Sequence, residues 1–232
     1  MSLHTLHSLR HMRCTSCSAP VRPVAAVDID GTLGEYHEHF LRFAGEYLGM
    51  STLPTGKRLY DGSQAFRTWF TQTFKTDVKT FRDIKLAYRQ GAQKRSMPVR
   101  PFARGLVKSL RELDVEVWLT TTRPYMRLDN VDPDTRFWLK RHGIKYDHLL
   151  YDEYKYEVLS HQVDPERVCF VLDDLDEKLQ EASRYFDESA CVLYATSWNS
   201  ASWGDWHRVS SEREVHLAAT AKVQAWKEKF SS

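Results

Sequence analysis

The chain has 232 residues, of which 42% are hydrophobic and 28% charged, a composition that argues against a mainly disordered protein. Its net charge is only +2, which excludes a uniformly basic or acidic chain. The longest apolar runs, such as VEVWL and VCFVL, have the length of strands and are too short to cross a bilayer. The amino terminus has no apolar segment of secretory length, so we expect a cytoplasmic protein that does not contact membranes.

Residues 1–22 are predicted to form a flexible tail. This segment contains Cys14 and Cys17 as a C-x-x-C pair with three histidines nearby, which resembles half of a zinc site. A second C-x-x-C is missing, and the histidines are not spaced as in a zinc finger. We therefore favour a tail without metal and leave zinc binding open. Cys169 and Cys191 lie in apolar strand patterns, which predicts small buried hydrophobic residues.

The first strand signal is Val24–Val27, and it ends in the sequence DIDGT. An uninterrupted apolar run of this kind is typical of a parallel strand that is buried on both faces. Asp28 and Asp30 follow at once, and they would point to the same side if the extended geometry continued. Gly31 then permits a turn. Two adjacent carboxylates at the end of a buried strand repel each other, which predicts a cation between them.

Residues 35–97 lose strand character and read as three helices. Phe66, Trp69, Phe70 and Phe74 recur at helical spacing, which predicts the core of this segment, although stacking on a nucleotide base stays an alternative. Between Lys75 and Arg111 there are eleven basic and two acidic residues. This excess indicates either a solvated helical face or a positive field that attracts an anionic ligand.

From Pro101 onward, helices and strands alternate. The predicted strands are Val115–Leu119, YDHLLY, Val168–Leu172 and ACVLYAT. The predicted helices are Phe102–Leu113, a helix with Asp132 as N-cap and Gly143 at its end, EYKYEVLSH and LDEKLQEASRYF. A last helix begins with a Ser211–Glu214 capping box. This alternation predicts a mostly parallel sheet with right-handed crossovers. In such sheets the ligand lies beyond the carboxyl ends of the strands.

Three of these strands end in polar residues. They are followed by Asp28-x-Asp30, by the run Thr120-Thr121-Thr122-Arg123, and by Asp173-Asp174, while Lys155 lies on the helix before the third strand. In a parallel sheet these ends meet at one edge. Clustered carboxylates beside hydroxyl donors suit a hard divalent cation and a phosphoryl group.

The segments DIDGT, TTTRP, Lys155 and VLDD, in this order, resemble the four motifs of the haloacid dehalogenase (HAD) superfamily. The resemblance extends from Val24 to about Thr196. It implies an α/β fold, the HAD-like Rossmannoid three-layer sandwich with a mostly parallel sheet, plus a small helical cap inserted after the first strand. The implied catalytic core comprises residues 23–34 and 98–230, and the cap comprises residues 35–97.

The resemblance also implies roles for individual residues. Asp28 would be the nucleophile that forms an aspartyl-phosphate, and Asp30 the general acid and then the base. Thr121, rather than the less favoured Thr120, would bind the phosphoryl oxygens, and Lys155 would neutralise developing charge. An aspartate at the position of Asp30 implies phosphoester chemistry rather than dehalogenation.

The implied cofactor is Mg²⁺, held by Asp28, by Asp30 through its backbone carbonyl, and by Asp173 and Asp174. Which of the last two binds the ion directly is left open. Thr122 and Arg123 are the candidate substrate-binding residues.

The substrate implied by this resemblance is a phosphorylated small molecule. Trp198-Asn199 and Arg208-Val209 loosely resemble a segment of the 5′(3′)-deoxyribonucleotidase-like branch, which favours a nucleotide. A polynucleotide 3′-phosphatase that acts on a nucleic-acid end is the first alternative. A non-catalytic binding module is the second alternative. The intact set of acidic residues counts against it, because a site that has lost its activity has no reason to retain mutually repelling carboxylates. The sequence does not indicate the oligomeric state.

Overall fold

A computed structural model describes residues 21–53, 62–122, 128–200 and 204–230. The strands are β1 (Val24–Asp28), β2 (Glu116–Thr121), β3 (His148–Tyr151), β4 (Val168–Asp173), β5 (Cys191–Tyr194) and β6 (His207–Val209). They form one sheet in the order β3-β2-β1-β4-β5-β6, and every neighbouring pair is parallel.

Eight helices are present in the described part of the chain. They are α1 (Tyr36–Tyr47), α2 (Gly62–Thr73), α3 (Val78–Gln90), α4 (Ala103–Glu112), α5 (Val131–Arg141), α6 (Lys155–Gln162), α7 (Asp176–Ala182) and α8 (Glu212–Phe230). Short 3₁₀ helices lie at Gln93–Ser96, Pro165–Arg167 and Glu188–Ala190.

The sheet is covered by helices on both faces. Alternate residues of β1 enter different hydrophobic clusters: Ala25 and Val27 pack with side chains of α4, α5 and α8, whereas Val24 and Ala26 pack with side chains of α6 and α7. Because both faces of the central strands are covered, those strands are apolar throughout, as the sequence indicated. The fold is the predicted three-layer α/β sandwich.

The order in which strands are added to the sheet reverses at β1. From β1 the chain adds β2 and β3 on one side, and it then returns to place β4, β5 and β6 on the other. The crevice between the carboxyl ends of β1 and β4 is therefore the topological switch point, where open α/β sheets bind ligands.

Residues 36–96, here named the helical insertion, contain α1, α2, α3 and the 3₁₀ helix at Gln93–Ser96. Its interior is aromatic: the ring centroids of Phe70 and Phe81 are 4.9 Å apart, and those of Phe40 and Phe66 are 6.0 Å apart. Phe66, Phe70 and Phe74 are buried and Trp69 is half-buried against them, which agrees with the prediction that these side chains form the segment's own core. The same hydrophobic cluster continues into the side of the sheet that α4 covers.

Two local predictions about helix ends are confirmed. Ser211 Oγ accepts a hydrogen bond from the Glu214 amide at 3.2 Å, and Glu214 Oε2 accepts one from the Ser211 amide at 3.0 Å, which is the reciprocal capping box. Gly143 has φ +65° just after α5, a conformation that glycine adopts without strain.

The prediction that Asp132 is the N-cap of α5 is wrong, because the helix already begins at Val131. The Asp132 carboxylate accepts hydrogen bonds from Arg136 one turn later and from Tyr151 on β3, so its partners lie along the helix and in the sheet. Strand β6 was not predicted at all. It has only three residues and lies at the edge of the sheet, with two of its side chains exposed, so it has no apolar pattern.

Cys169 and Cys191 are buried free thiols, as predicted. Cys14 and Cys17, with the rest of residues 1–20, lie outside the described residues, and so does Arg123. Within the described ranges, none of the helices has the length and hydropathy that a membrane span requires.

Candidate active site

Three buried carboxylates meet at the switch point of the sheet. Asp28 is the last residue of β1, Asp173 is the last of β4, and Asp174 follows it. Each supplies a carboxylate oxygen, and these oxygens all lie within 4.8 Å of one another. The side chains are almost completely removed from solvent, so their mutual repulsion is poorly screened.

One lysine partly compensates this negative charge. Lys155, the first residue of α6, places its Nζ 2.6 Å from Asp28 Oδ1 and 2.6 Å from Asp173 Oδ2. Burial alone would lower the pKa of Lys155, but the charges of Asp173 and Asp28 outweigh it and hold the pKa above its ordinary value. The lysine is therefore a permanent cation at the centre of the site.

A single ammonium does not balance three carboxylates. Burial raises the pKa of Asp28 to about 7 against the opposing attraction of Lys155, and burial followed by the charges of Asp28 and Asp173 raises the pKa of Asp174 well above its usual range. In the described part of the chain, Asp28 Oδ2 is buried and has no hydrogen-bond partner. An orphaned carboxylate oxygen among excess negative charge fits a divalent cation with a preference for oxygen, such as Mg²⁺.

The turn after β1 is shaped around Asp174. Gly31 has φ +109°, and a Cβ at this position would lie 2.1 Å from Asp174 Oδ2. Thr32 Oγ1 makes a long contact of 3.5 Å to Asp174 Oδ1. Only glycine permits both this backbone conformation and this approach, so Gly31 allows the turn to close on the acidic cluster.

Asp30 has different partners from Asp28. The extended geometry ends at Asp28, and the Asp30 carboxylate pairs with the buried ammonium of Lys94 in the 3₁₀ helix at Gln93–Ser96. Lys94 Nζ also lies 4.5 Å from the centroid of the Tyr36 ring. Asp30 therefore lies beside the three-acid cluster rather than within it.

The threonine run lies on the other side of β1. Thr120 is the register partner of Asp28, Thr121 ends β2, and both are fully buried. Thr122 lines a cavity next to the cluster. Four of the predicted residues therefore meet in one cluster: Asp28, Lys155, Asp173 and Asp174. Thr120 lies next to Asp28 in the sheet register, and Arg123 lies outside the described ranges.

The loop after β5 anchors the backbone of Asp174. Asn199 Nδ2 donates to the backbone carbonyls of Asp174 at 2.7 Å and Tyr194 at 2.8 Å, and Asn199 Oδ1 accepts from the Thr196 amide at 2.8 Å. The Trp198 ring lies 5.5 Å from that of His37, and His37 Nδ1 lies 3.9 Å from Asp174 Oδ2. This loop therefore connects the acidic cluster with the helical insertion.

Several residues of the site carried no sequence signal. Tyr156 donates to Asp173 Oδ2 at 2.7 Å, and its only local hint was its position next to Lys155. Lys94 and His37 follow no motif, because their partners are set by the path of the helical insertion. Asn199 was noticed within a loose pattern, but its hydrogen bonds to backbone carbonyls have no signature in the sequence.

A cavity of about 540 Å³ lies between the helical insertion and the loops and helix α7 at the carboxyl edge of the sheet. Its lining from the insertion includes His37, Phe66, Lys85 and Arg89, and its lining from the core includes Asp30, Thr122, Tyr154, Glu177, Lys178, Glu181 and Arg184. This volume lies within the range of small-molecule sites, and its polar and aromatic lining is typical of them.

No family model matches the sequence, and the search of curated proteins gives no match. Solved structures do match. A predicted phosphoglycolate phosphatase from Haemophilus somnus 129PT has a TM-score of 0.57 at 15% identity, with 88% of this chain and 100% of that chain covered. A HAD family hydrolase from Deinococcus radiodurans R1, with bound phosphate and sodium, has a TM-score of 0.57 at 13% identity, with 87% and 96% covered.

CbbY from Rhodobacter sphaeroides in complex with phosphate is similar with a TM-score of 0.55 at 14% identity, over 85% of this chain and 98% of that chain. At such identities the comparison concerns the fold. The chain has the α/β fold of HAD-superfamily hydrolases, with a buried aspartate cluster at the carboxyl edge of its sheet.

Proposed function

We propose that this protein is a Mg²⁺-dependent phosphomonoester hydrolase in which Asp28 is the nucleophile. The observation that carries the proposal is the unequal environment of the two Asp28 oxygens. Oδ1 is held by Lys155, whereas Oδ2 is buried without a hydrogen-bond partner among the described residues. A carboxylate that is anchored through one oxygen keeps the other oriented for a metal ion or for attack on phosphorus.

The hydrogen bonds of the two neighbouring aspartates favour Asp174 as the direct metal ligand. Asp173 Oδ2 is occupied by Lys155 and Tyr156, and Asp173 Oδ1 accepts from the Leu175 amide at 2.9 Å. Among the described residues, the carboxylate of Asp174 makes only the long contacts to Thr32 and His37. In this proposal Asp28, Asp174 and the backbone carbonyl of Asp30 ligate Mg²⁺, while Asp173 orients Lys155. When bound, Mg²⁺ supplies positive charge that lets a phosphate dianion approach Asp28.

The proposed reaction has two displacements. Asp28 forms a bond to phosphorus, the ester P–O bond breaks, and protonated Asp30 gives its proton to the leaving oxygen. Asp30 then accepts a proton from water, the water oxygen attacks the aspartyl-phosphate, and inorganic phosphate leaves as the Asp28 carboxylate is regenerated.

Two further groups complete the proposed site. Lys155 neutralises charge on the transferring phosphoryl group from a fixed position. The hydroxyl of Thr121, or that of its neighbour Thr120, donates to a phosphoryl oxygen, and Thr122 and Arg123 contact the substrate. The helical insertion serves as the cap, because it closes the cavity over Asp30.

A nucleotide is the proposed substrate. The cavity volume is sufficient, and the rings of Phe66, Tyr36 and Tyr154 line the cavity and offer surfaces for a base.

The experiment is a phosphatase assay with p-nitrophenyl phosphate and Mg²⁺, followed by a panel of 5′-mononucleotides and sugar phosphates. Asp28→Asn should lower kcat by at least about a thousandfold while the protein remains folded. Retained turnover in this variant would refute the assignment of the nucleophile. The most efficient substrate in the panel then decides the nucleotide assignment.

A polynucleotide 3′-phosphatase is the second candidate, and one observation favours it. Arg104, Lys108 and Arg111 of α4 line a further cavity of about 370 Å³ together with Lys145. Binding of a nucleic-acid backbone to this basic surface would weaken steeply with salt. A 3′-phosphorylated oligonucleotide assayed beside the mononucleotides distinguishes the two candidates.

A further inference from the structure

Lys85 has an unusual environment within the cavity. It is a partly buried residue of α3, and its Nζ lies 5.1 Å from the ring centroid of Phe81 and 6.0 Å from that of Phe66. In the described part of the chain it makes no ion pair with a carboxylate. Lys94 and Lys178 differ in this respect, because they pair with Asp30 and Glu181.

The surroundings of Lys85 disfavour its positive charge. Burial, followed by repulsion from Arg89, lowers the pKa of Lys85 to about 7. Arg89 lies one helical turn later and lines the same cavity, and like charges at this spacing are mutually destabilising. The charge of Asp30 opposes this effect, but Asp30 is already paired with Lys94. Lys85 and Arg89 therefore bring two basic side chains to one wall of the cavity, and Lys85 has no carboxylate paired with it among the described residues.

The position of Lys85 relative to the acidic cluster is defined by a chain of contacts. His37 Nδ1 lies 3.9 Å from Asp174 Oδ2, the His37 ring is 5.6 Å from that of Phe66, and Phe66 is covered by Lys85. Lys85, on the helical insertion, is thus linked to Asp174 through contacts with Phe66 and His37.

We infer that Lys85, with Arg89 beside it, binds a second anionic group of the substrate, at the end remote from the phosphate that is cleaved. The inference rests on the proposed function and narrows its substrate class to phosphomonoesters that also carry a carboxylate or another phosphate. Among nucleotides this class contains those with a second phosphate group. An anion at this position would relieve the repulsion between Lys85 and Arg89 and gain charge-assisted hydrogen bonds.

The test uses alkanediol bisphosphates of two to six carbons and the ω-phosphorylated carboxylates of the same lengths. Each is compared with the alkyl monophosphate of equal length. We expect the wild type to prefer a doubly anionic ester in kcat/KM, and Lys85→Met to reduce that preference by about tenfold or more. Lys79→Met removes an exposed charge from the same helix, where Lys79 pairs with Asp83, and should retain the wild-type preference.

A wild-type protein without this preference at any chain length would overturn the inference, and so would a preference that Lys85→Met leaves unchanged. The bisphosphate and carboxylate series show which anion is favoured. If no ester is turned over, the proposed function fails, and the subsite is judged by calorimetric titration of the same compounds into the wild type and Lys85→Met. Equal affinity of these two proteins for the bisphosphates would then reject it.

Discussion

Lys155 donates to Asp28 from the first turn of α6, 127 residues further along the chain, and the Nζ to Oδ1 distance is 2.6 Å. Replacing one partner of a buried ion pair leaves an uncompensated charge. We predict that Lys155→Met leaves Asp28 and Asp173 facing each other and lowers the free energy of unfolding by about 3–5 kcal/mol at pH 7.

Chemical denaturation of Lys155→Met beside Lys79→Met measures this cost. Lys79 forms an exposed pair with Asp83, so its replacement should change stability by no more than about 0.5 kcal/mol. Equal stability losses in the two variants would show that the buried pair is not a structural contact.

The metal assignment predicts different effects of replacing the two neighbouring aspartates. Mg²⁺ should raise the melting temperature of the wild type, because an ion that binds the folded state stabilises it. Asp174→Asn should weaken Mg²⁺ binding by more than about 100-fold, the upper cost of losing a residue that only orients a metal ligand. Asp173→Asn should retain more of the Mg²⁺ response but be less stable without the ion, because it weakens the contacts to Lys155 and Tyr156.

Melting temperature as a function of Mg²⁺ concentration measures both effects. Asp83→Asn, at an exposed position on α3, serves as the control and should respond like the wild type. If Asp173→Asn abolishes the Mg²⁺ response and Asp174→Asn preserves it, the two roles are reversed.

Alanine substitutions at two glycines with positive φ distinguish the cost of backbone strain from the effect of steric crowding at the site. Gly31→Ala and Gly49→Ala both impose a left-handed conformation on alanine, which costs about 1–2 kcal/mol. At Gly49 no atom lies within 4 Å of the added Cβ, whereas at Gly31 the carboxylate of Asp174 lies 2.1 Å away. We expect both variants to lose stability but only Gly31→Ala to lose Mg²⁺ binding and phosphatase activity. Equal activity of the two would contradict the close approach of the turn to Asp174.

The lowered pKa of Lys85 predicts a pH-dependent difference in stability. Unfolded lysine titrates near 10.5, and burial lowers the folded-state pKa to about 7, so between these values the unfolded chain binds more protons. The contribution of Lys85 to the free energy of unfolding therefore becomes more favourable as the pH increases from 7 towards 10. Lys85→Met lacks this effect and should exceed the wild type by roughly 2 kcal/mol below pH 7.

The excess stability of Lys85→Met should shrink as the pH rises towards 10, which denaturation at a series of pH values measures. A difference between the two proteins that does not vary with pH would show that Lys85 titrates normally. This measurement requires no ligand and is independent of the phosphatase assay.

The sequence predicted the sheet and the acidic edge because these depend on local patterns. Buried parallel strands are apolar throughout, and the change to Asp28, to the threonine run and to Asp173 marks where each strand ends. The structure departed from the prediction where the interacting residues are far apart in the sequence. The pairing of Asp30 with Lys94 depends on how the helical insertion returns to the sheet, and Asn199 acts on backbone carbonyls, which carry no sequence information. Strand β6 was missed because three residues at a sheet edge need no apolar pattern.

The most direct test of the central claim is to trap the phosphorylated protein. The wild type, mixed with a ³²P-labelled substrate and Mg²⁺ and quenched in acid within milliseconds, should carry label that is stable in acid, is released by hydroxylamine and maps to the peptide containing Asp28. Asp28→Asn should carry none. Turnover of the substrate without any label on this peptide, or label on another residue, would contradict the account.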